Sequence, residues 1–297
     1  MGFAKGKQTK EVEFKLYTGV APVFIAGVNM TKDELESTYG REFEKEPEYL
    51  GTDNDGNKQA RIEFVLRTDE ENCGVDIYTR MSIFLSATPE KNKEGSKVHA
   101  IDKYGRTAWV TLEQAKNHEI PVYKNGPALI DKDYRAAFVG EVQLTELLKT
   151  FLGIPNVLSY KDGKWVANPN VNPEDCEARL DVETFKKIFN GDFSELKAII
   201  NYQPENKIKV LFGVNTKDDR QYQTVYSRKV FPYNVTNKGI LDLAAEIDMT
   251  KSNGGLATTE FTFDKLQEYK VTPTPLESKV SEIPENPFDD LDMPLGL

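Results

Sequence analysis

An alternation of apolar and polar residues runs from Gly74 to Ser86 and constrains the fold more than any other feature. One side of the repeat carries Val75, Ile77, Met81, Ile83 and Leu85, with Thr79 between them. The other side carries Asp76, Tyr78, Arg80, Ser82, Phe84 and Ser86. A repeat of two residues places successive side chains on opposite faces of a strand. We therefore predict a strand with one face in the core and an outward face of aromatic and charged residues.

Further alternations predict a chain made mostly of strands. Three other predicted strands are centred on Phe14, Phe64 and Phe212. Four more lie at 98–101, 104–112, 134–142 and 220–231. The segments 98–101 and 104–112 would pair as a hairpin around Asp102 and Lys103.

Helices are predicted where apolar spacing changes and capping residues occur. They lie at 31–36, 142–152, 181–189, 193–202 and 237–247. Thr31, Asp181 and Asp192 are predicted N-caps, because their side-chain oxygens accept from free helix N–H groups. Strands and helices do not alternate regularly, which disfavours a parallel α/β sheet. The predicted class is mainly β with inserted helices, arranged as an elaborated small barrel.

The charge of the chain is unevenly distributed. The 297 residues carry a net charge of −10, and six acids and one lysine from Val271 onward account for −5 of it. The first ten residues carry Lys5, Lys7 and Lys10 and no acid. We predict a basic arm at 1–10, a body at 11–270 with helical insertions at about 142–202 and 237–247, and a disordered acidic tail at 271–297. Overall acidity weakens the case for nucleic-acid binding without excluding it.

Motifs for catalysis, metals and cofactors are missing from the sequence. It contains no P-loop, no GxSxG and no HExxH. Its two histidines and two cysteines are too few for a typical structural zinc site. No apolar run reaches the length of a membrane span, and no signal peptide is recognised. We expect a non-catalytic protein without metal or cofactor, located in the cytoplasm, or in the host cytoplasm if it is phage-encoded.

Aromatic residues mixed with basic residues are the strongest sign of a binding surface. Single-stranded nucleic acid needs rings on which bases stack and cations along the phosphate path. The predicted nucleic-acid-binding residues are Tyr78, Arg80, Phe84, Lys103, Tyr104, Arg106, Trp109, Tyr134, Arg135, Tyr226, Arg228 and Lys229. Core packing competes with this interpretation for each ring, because Tyr and Phe favour strands.

The final residues interleave aspartates with apolar side chains. Pro287 and Pro294 discourage regular structure there. The segment is too short and too acidic to fold alone, but it can bind a partner that offers basic groups around an apolar pocket. The predicted partner-binding residues are Phe288, Asp289, Asp290, Leu291, Asp292 and Met293.

This tail resembles the acidic tip of phage-type single-stranded DNA-binding proteins. The match is the acidic-then-proline order from Asp289 to Pro294, although this chain ends in Leu295-Gly-Leu297 and its aromatic Phe288 precedes the aspartates. The resemblance implies an OB-fold body that coats single-stranded DNA during replication, recombination or repair. It implies a tip that recruits partner enzymes or competes with DNA.

Other readings of the sequence remain open. One is a β-rich phage structural or virion-associated protein, and self-association is open in either case. A second is a DNA-processing enzyme whose carboxylates hold a divalent metal.

Overall fold

The protein is mainly β. The computed structural model describes residues 14–217, 220–226, 230–237, 240 and 270–274. The first six strands are β1 Phe14–Val28, β2 Leu50–Thr52, β3 Lys58–Thr68, β4 Tyr78–Pro89, β5 Lys97–Ile101 and β6 Thr107–Thr111. They are followed by β7 Val122–Tyr123, β8 Gly126–Pro127, β9 Arg135–Ala136, β10 Phe138–Val139, β11 Leu158–Lys161 and β12 Lys164–Ala167. The last are β13 Lys207–Lys217, β14 Arg220–Val225, β15 Phe231–Pro232 and β16 Lys270–Thr274.

Helices are fewer than strands among the described residues. They are α1 Lys32–Tyr39, α2 Glu70–Cys73, α3 Leu112–Asn117, α4 Glu141–Leu152, α5 Val182–Ile188 and α6 Ser194–Tyr202, with a 3₁₀ turn at Pro173–Cys176. Within this part of the chain, no helix has both the length and the apolar composition that crossing a bilayer would require.

One antiparallel sheet organises the body. Its strands follow the order β10-β4-β3-β1-β13-β14, with β2, β15 and β16 added at the sides. The sheet curls so that β14 approaches β4, which gives it the shape of a half-barrel. The three strands β6-β5-β9 form a separate small sheet. The prediction of a mainly β fold with inserted helices is confirmed.

The concave side of this sheet holds the main core. Met81, Ile83 and Leu85 of β4 are buried there, while Tyr78 and Phe84 point to the other face, as the alternation predicts. Helices α4, α5 and α6 cover this core and contribute apolar side chains to it. Their buried members are Leu144, Leu147, Leu148, Phe151, Phe185, Ile188, Leu196 and Ile200. The inserted helices therefore form the second layer of the domain.

Capping residues define several helix ends as predicted. Thr31 caps α1 in a complete capping box with Glu34, and the Asp181 carboxylate accepts from Thr184 N at the start of α5. Gly153, at φ 66°, ends α4. Asp192 instead precedes α6, which begins at Ser194.

The segment predicted as a strand at 134–142 is interrupted. It forms only the two short strands β9 and β10, and α4 begins at Glu141. Gly140 turns the chain with φ 80°, so the extended backbone cannot continue. The alternation prediction for this segment was wrong because it ignored this turn.

The acidic tail begins later than predicted. Lys270–Thr274 pairs with β1, with Thr274 opposite Phe14 and Lys270 opposite Thr18. The first four residues assigned to a disordered tail therefore belong to a strand. The basic arm at 1–10, most of the predicted helix at 237–247 and the segment 275–297 lie outside the described residues.

Gly140→Ala tests this turn by its effect on stability. A Cβ at residue 140 would lie 2.0 Å from the carbonyl oxygen of Phe84, in addition to the left-handed backbone. We expect the free energy of unfolding to fall by more than about 2 kcal/mol, because strain and a backbone clash add. Gly40→Ala is the control, since its φ is also positive but no atom lies within 4 Å of the Cβ position. Equal losses in urea denaturation would contradict the role assigned to the clash.

Candidate nucleic-acid interface

An exposed hairpin formed by β11 and β12 carries two aromatic rings side by side. Tyr160 and Trp165 are direct cross-strand partners, and their ring centroids are 5.1 Å apart. Tyr160 is 56% exposed and Trp165 is 40% exposed. Exposed ring faces of this kind are what an unpaired base needs for stacking.

The hairpin turn has a local cause. Asp162 and Gly163 occupy the two central positions with φ 51° and 79°. Asp-Gly with positive φ at both positions is the preferred two-residue hairpin turn, and it fixes the pairing register. At the base of the hairpin, Leu158 is buried with Val157 and Cys176. The turn therefore presents Tyr160 and Trp165 on one face of an anchored hairpin.

A second hairpin, formed by β7 and β8, lies against the first. Trp165 N donates to the carbonyl oxygen of Asn125 at 2.8 Å. Gly126 permits this approach, since a Cβ there would lie 3.2 Å from the carbonyl oxygen of Trp165. The second hairpin adds Tyr123, which is 54% exposed, and the exposed Lys124.

Arg106 packs on the Trp165 ring from the β5–β6 turn. Its guanidinium carbon lies 5.4 Å from the ring centroid, and its Nε donates to Ala128 O at 3.2 Å. The Asp102 carboxylate shapes the turn by accepting from Tyr104 N and Arg106 N. Burial lowers the pKa of Arg106 against the opposing effect of Asp102, but arginine remains charged at neutral pH. One face of Trp165 thus lies beside a fixed cation.

We call this surface the hairpin platform. It consists of Arg106, Tyr123, Lys124, Tyr160, Lys161, Lys164 and Trp165. Its four cations face a single acid on the two hairpins, Asp162. None of its three lysines forms a salt bridge with another described residue. Lys161 and Lys164 are cross-strand partners beside the turn, so their side chains lie on the opposite face of the hairpin from Tyr160 and Trp165. The platform therefore combines exposed rings on one face with lysines at the turn that form no salt bridge with a described residue.

A second aromatic and basic row crosses the outer face of the large sheet. Arg67 of β3 is the cross-strand partner of Tyr78 on β4 and of Phe24 on β1. Phe24 in turn is the partner of Lys207 on β13. Both cations already have carboxylate partners. Arg67 Nε lies 2.8 Å from Asp76 Oδ1, and Lys207 Nζ lies 2.7 Å from Asp69 Oδ2. This row therefore offers less free charge to phosphates than the hairpin platform.

Arg80 is covered on the same outer face. Its Nη1 lies 3.4 Å from Glu63 Oε1, and its side chain is 11% exposed. The rings of Tyr39 and Phe43 cover its guanidinium at 5.4 and 5.3 Å. The prediction that Arg80 meets phosphate is not compatible with this conformation. Phe84 is 45% exposed and lies opposite Arg61, away from any second exposed ring that the structure describes.

Three predicted stacking residues are buried instead. Tyr104 packs with Val157 and Cys176, and Tyr226 belongs to another apolar cluster. Tyr134 is 2% exposed, and its hydroxyl lies within hydrogen-bond distance of the carbonyl oxygens of Gln114 and Glu119. Burial raises the pKa of Tyr134. These rings have no open face for a base, so assigning them to an interface was an error.

Arg135 has a structural partner. Its guanidinium forms a bidentate pair with the fully buried Glu141, at 2.7 Å from Oε2 and 2.5 Å from Oε1. The prediction that Arg135 contacts phosphate was wrong, because Glu141 already neutralises its charge inside the body.

The other predicted residues are dispersed. Lys103 Nζ pairs with Glu177 Oε1 at 2.6 Å on the surface, and this hydrogen bond raises the pKa of Lys103. Trp109 is 37% exposed, and one of its faces stacks on His99 at 4.5 Å. Arg228, Lys229 and the six predicted tip residues, Phe288 to Met293, lie outside the described residues. Arg106 is therefore the predicted residue that the structure brings to the hairpin platform.

The remaining platform residues were missed from sequence. A signal was present in Tyr-Lys-Asp-Gly-Lys-Trp, residues 160–165, because an Asp-Gly turn places the residues on its two sides opposite each other.

Within the described residues, no three His, Cys, Asp or Glu side chains converge as metal ligands would. Comparisons with protein-family models, curated proteins and solved structures found no match to this chain.

Proposed function

We propose that this protein binds single-stranded DNA without catalysing a reaction, and that the hairpin platform is its binding surface. The observation that carries the proposal is the pairing of the exposed Tyr160 and Trp165 rings beside Arg106, with the exposed Lys124, Lys161 and Lys164 at the turns of the two hairpins. Bases stack on the two rings, and Lys124, Lys161 and Lys164 meet phosphates.

The chemistry of the platform favours unpaired bases. Stacking on an aromatic side chain contributes about 1–3 kcal/mol per base. A duplex keeps its base faces inside its own stack, so Tyr160 and Trp165 gain little from it. Their rings accept any base, because every base has a π face. Arg106 adds a cation beside Trp165, at 5.4 Å from the ring centroid.

The wider proposal follows the resemblance of the acidic tail to phage-type single-stranded DNA-binding proteins. The body is proposed to be an elaborated OB-fold-like barrel, and the curled antiparallel sheet supports that description at a coarse level. The tip, with Phe288 and Asp289 to Asp292, is proposed to recruit replication, recombination or repair proteins. The proposed setting is the cytoplasm of a cell or of a phage host.

A salt titration with fluorescent oligo-dT tests the electrostatic part of the proposal. The double variant Lys161→Ala/Lys164→Ala removes two cations from the hairpin turn while leaving both rings in place. If each lysine meets one phosphate, the slope of log K against log salt should be less negative by about 1.4 in this variant. Each single-strand phosphate contact contributes about 0.7 to that slope.

The matched control removes two lysines from another exposed surface. Lys186 pairs with Glu183 on α5, and Lys197 of α6 pairs with Glu34 of α1. Lys186→Ala/Lys197→Ala should leave the salt slope unchanged. Equal slopes for both double variants would exclude the platform as the phosphate path. Absence of salt-sensitive binding by the full chain would overturn the proposed function and favour a structural protein.

A further inference from the structure

A loop at 41–49, between α1 and β2, covers part of the outer face of the large sheet. Phe43 is half-buried, as are Pro47 and Tyr49, and its ring packs between two arginines. The guanidinium carbons of Arg41 and Arg80 lie 4.5 and 5.3 Å from the ring centroid. Tyr39 packs edge-on against Phe43 at 5.9 Å. Phe43 also packs with Tyr39 and Tyr78 against the buried cluster of Met30, Leu35 and Val65, so the ring lies on an apolar base beside Arg80.

The loop surrounds this ring with negative charge. Glu42 and Glu44 flank Phe43 directly, and Glu46 and Glu48 follow. All four glutamates are exposed. A planar ring flanked by anions on both sides has the same chemical character as a base within a single strand. Residues 42–48 therefore place a ring on Arg80 and Tyr39, with exposed carboxylates on both sides of that ring in sequence.

The surface beneath the loop has unused binding capacity. Glu63 is the carboxylate shared by Arg61 and Arg80, at 3.9 and 3.4 Å, so two cations face one anion. The buried Arg61 Nε has no hydrogen-bond partner in the described structure, and neither does the buried Glu63 Oε1. A buried donor left unpaired costs stability. A ligand that supplies acceptors here would remove that cost.

We infer that the loop 41–49 occupies a second single-strand binding surface formed by Tyr39, Arg61, Tyr78 and Arg80, and that DNA displaces it. This inference rests on the proposed function of the protein. It explains why the outward residues of β4 have the character of a nucleic-acid surface while Arg80 is covered. The hairpin platform binds first because it is open, and the covered surface extends the contact after the loop moves.

Phe43→Ala tests the inference through affinity for a long oligo-dT. We expect binding about five-fold tighter, because the DNA no longer competes with a packed ring worth about 1 kcal/mol. The gain should persist when Trp165→Ala is added, since the two surfaces are separate. Tyr202→Ala is the control, because Tyr202 is 78% exposed at the end of α6, outside the loop 41–49. That variant should gain no affinity.

Hydrogen exchange on the unmodified chain provides a test that does not depend on the folding of a variant. Saturating oligo-dT should speed amide exchange at 41–49, where Phe43 N otherwise donates to Glu36 Oε1 at 2.9 Å. Binding that depends on Trp165, with unchanged exchange in the loop, would overturn this inference and leave the proposed function standing. Failure of every form to bind at low salt would overturn both.

Discussion

Replacing Trp165 with alanine is expected to weaken oligo-dT binding by about 1–3 kcal/mol, or roughly 5- to 150-fold. The substitution removes one of the two paired rings and also the partner of Arg106. Trp165 is 40% exposed, so its loss leaves the buried base of the hairpin in place. Fluorescence anisotropy at fixed salt measures the loss, and the salt slope should stay unchanged because no charge is removed.

Tyr202→Ala provides the comparison for Trp165→Ala. Tyr202 ends α6 and is 78% exposed, so an alanine there removes an open ring that belongs to neither hairpin. Its oligo-dT affinity should equal that of the parent chain. Trp165→Phe should recover most of the affinity, since a ring is restored. Equal affinity of Trp165→Ala and Tyr202→Ala would show that the platform does not stack bases.

Arg135→Ala is expected to lower the free energy of unfolding by about 3–5 kcal/mol, because it leaves a buried carboxylate without its counter-charge. Glu141 is fully buried, and beyond Arg135 its Oε2 accepts from Phe138 N at 2.9 Å. Arg135 also donates to Leu180 O at 3.2 Å, which ties the start of α4 to the segment before α5. Urea denaturation monitored by far-UV circular dichroism measures the loss.

A second ion pair supplies the control for Arg135→Ala. Lys103 and Glu177 are paired but 39% and 50% exposed, so Lys103→Ala should cost less than about 1 kcal/mol. The pair Arg135→Met/Glu141→Leu should recover much of the stability, because neither charge then remains buried. Oligo-dT affinity per folded molecule should not change in Arg135→Ala. A weaker affinity with unchanged stability would restore Arg135 to the interface.

Local patterns predicted the parts of the fold that depend on neighbours in sequence. The alternation through Met81, Ile83 and Leu85 identified the buried face of β4. Thr31 and Asp181 marked helix starts, because a cap needs only its own side chain and the next three residues. The end of α4 at Gly153 followed from the same local chemistry.

Whether a single aromatic residue is buried depends on which distant segments of the chain pack over it. Tyr134 is enclosed by the segment around α3, and Tyr226 by residues from β1, β13 and β15. The sequence within a few residues of Tyr134 or Tyr226 does not indicate which other segments cover its ring. Trp165 was missed for a related reason, because Arg106 and Asn125, which position it, are distant in sequence.

The pairing of β16 with β1 brings the two ends of the described body together. Phe14 and Thr274 are opposite each other on adjacent antiparallel strands. Neighbouring strands lie only about 5 Å apart, so a short linker can join these positions. The chain can then be reopened at the Asp162-Gly163 turn to give a circular permutant with the same strand order. Such a permutant would carry a fluorophore at each new terminus, beside Tyr160 and Trp165, without altering any other residue of the body.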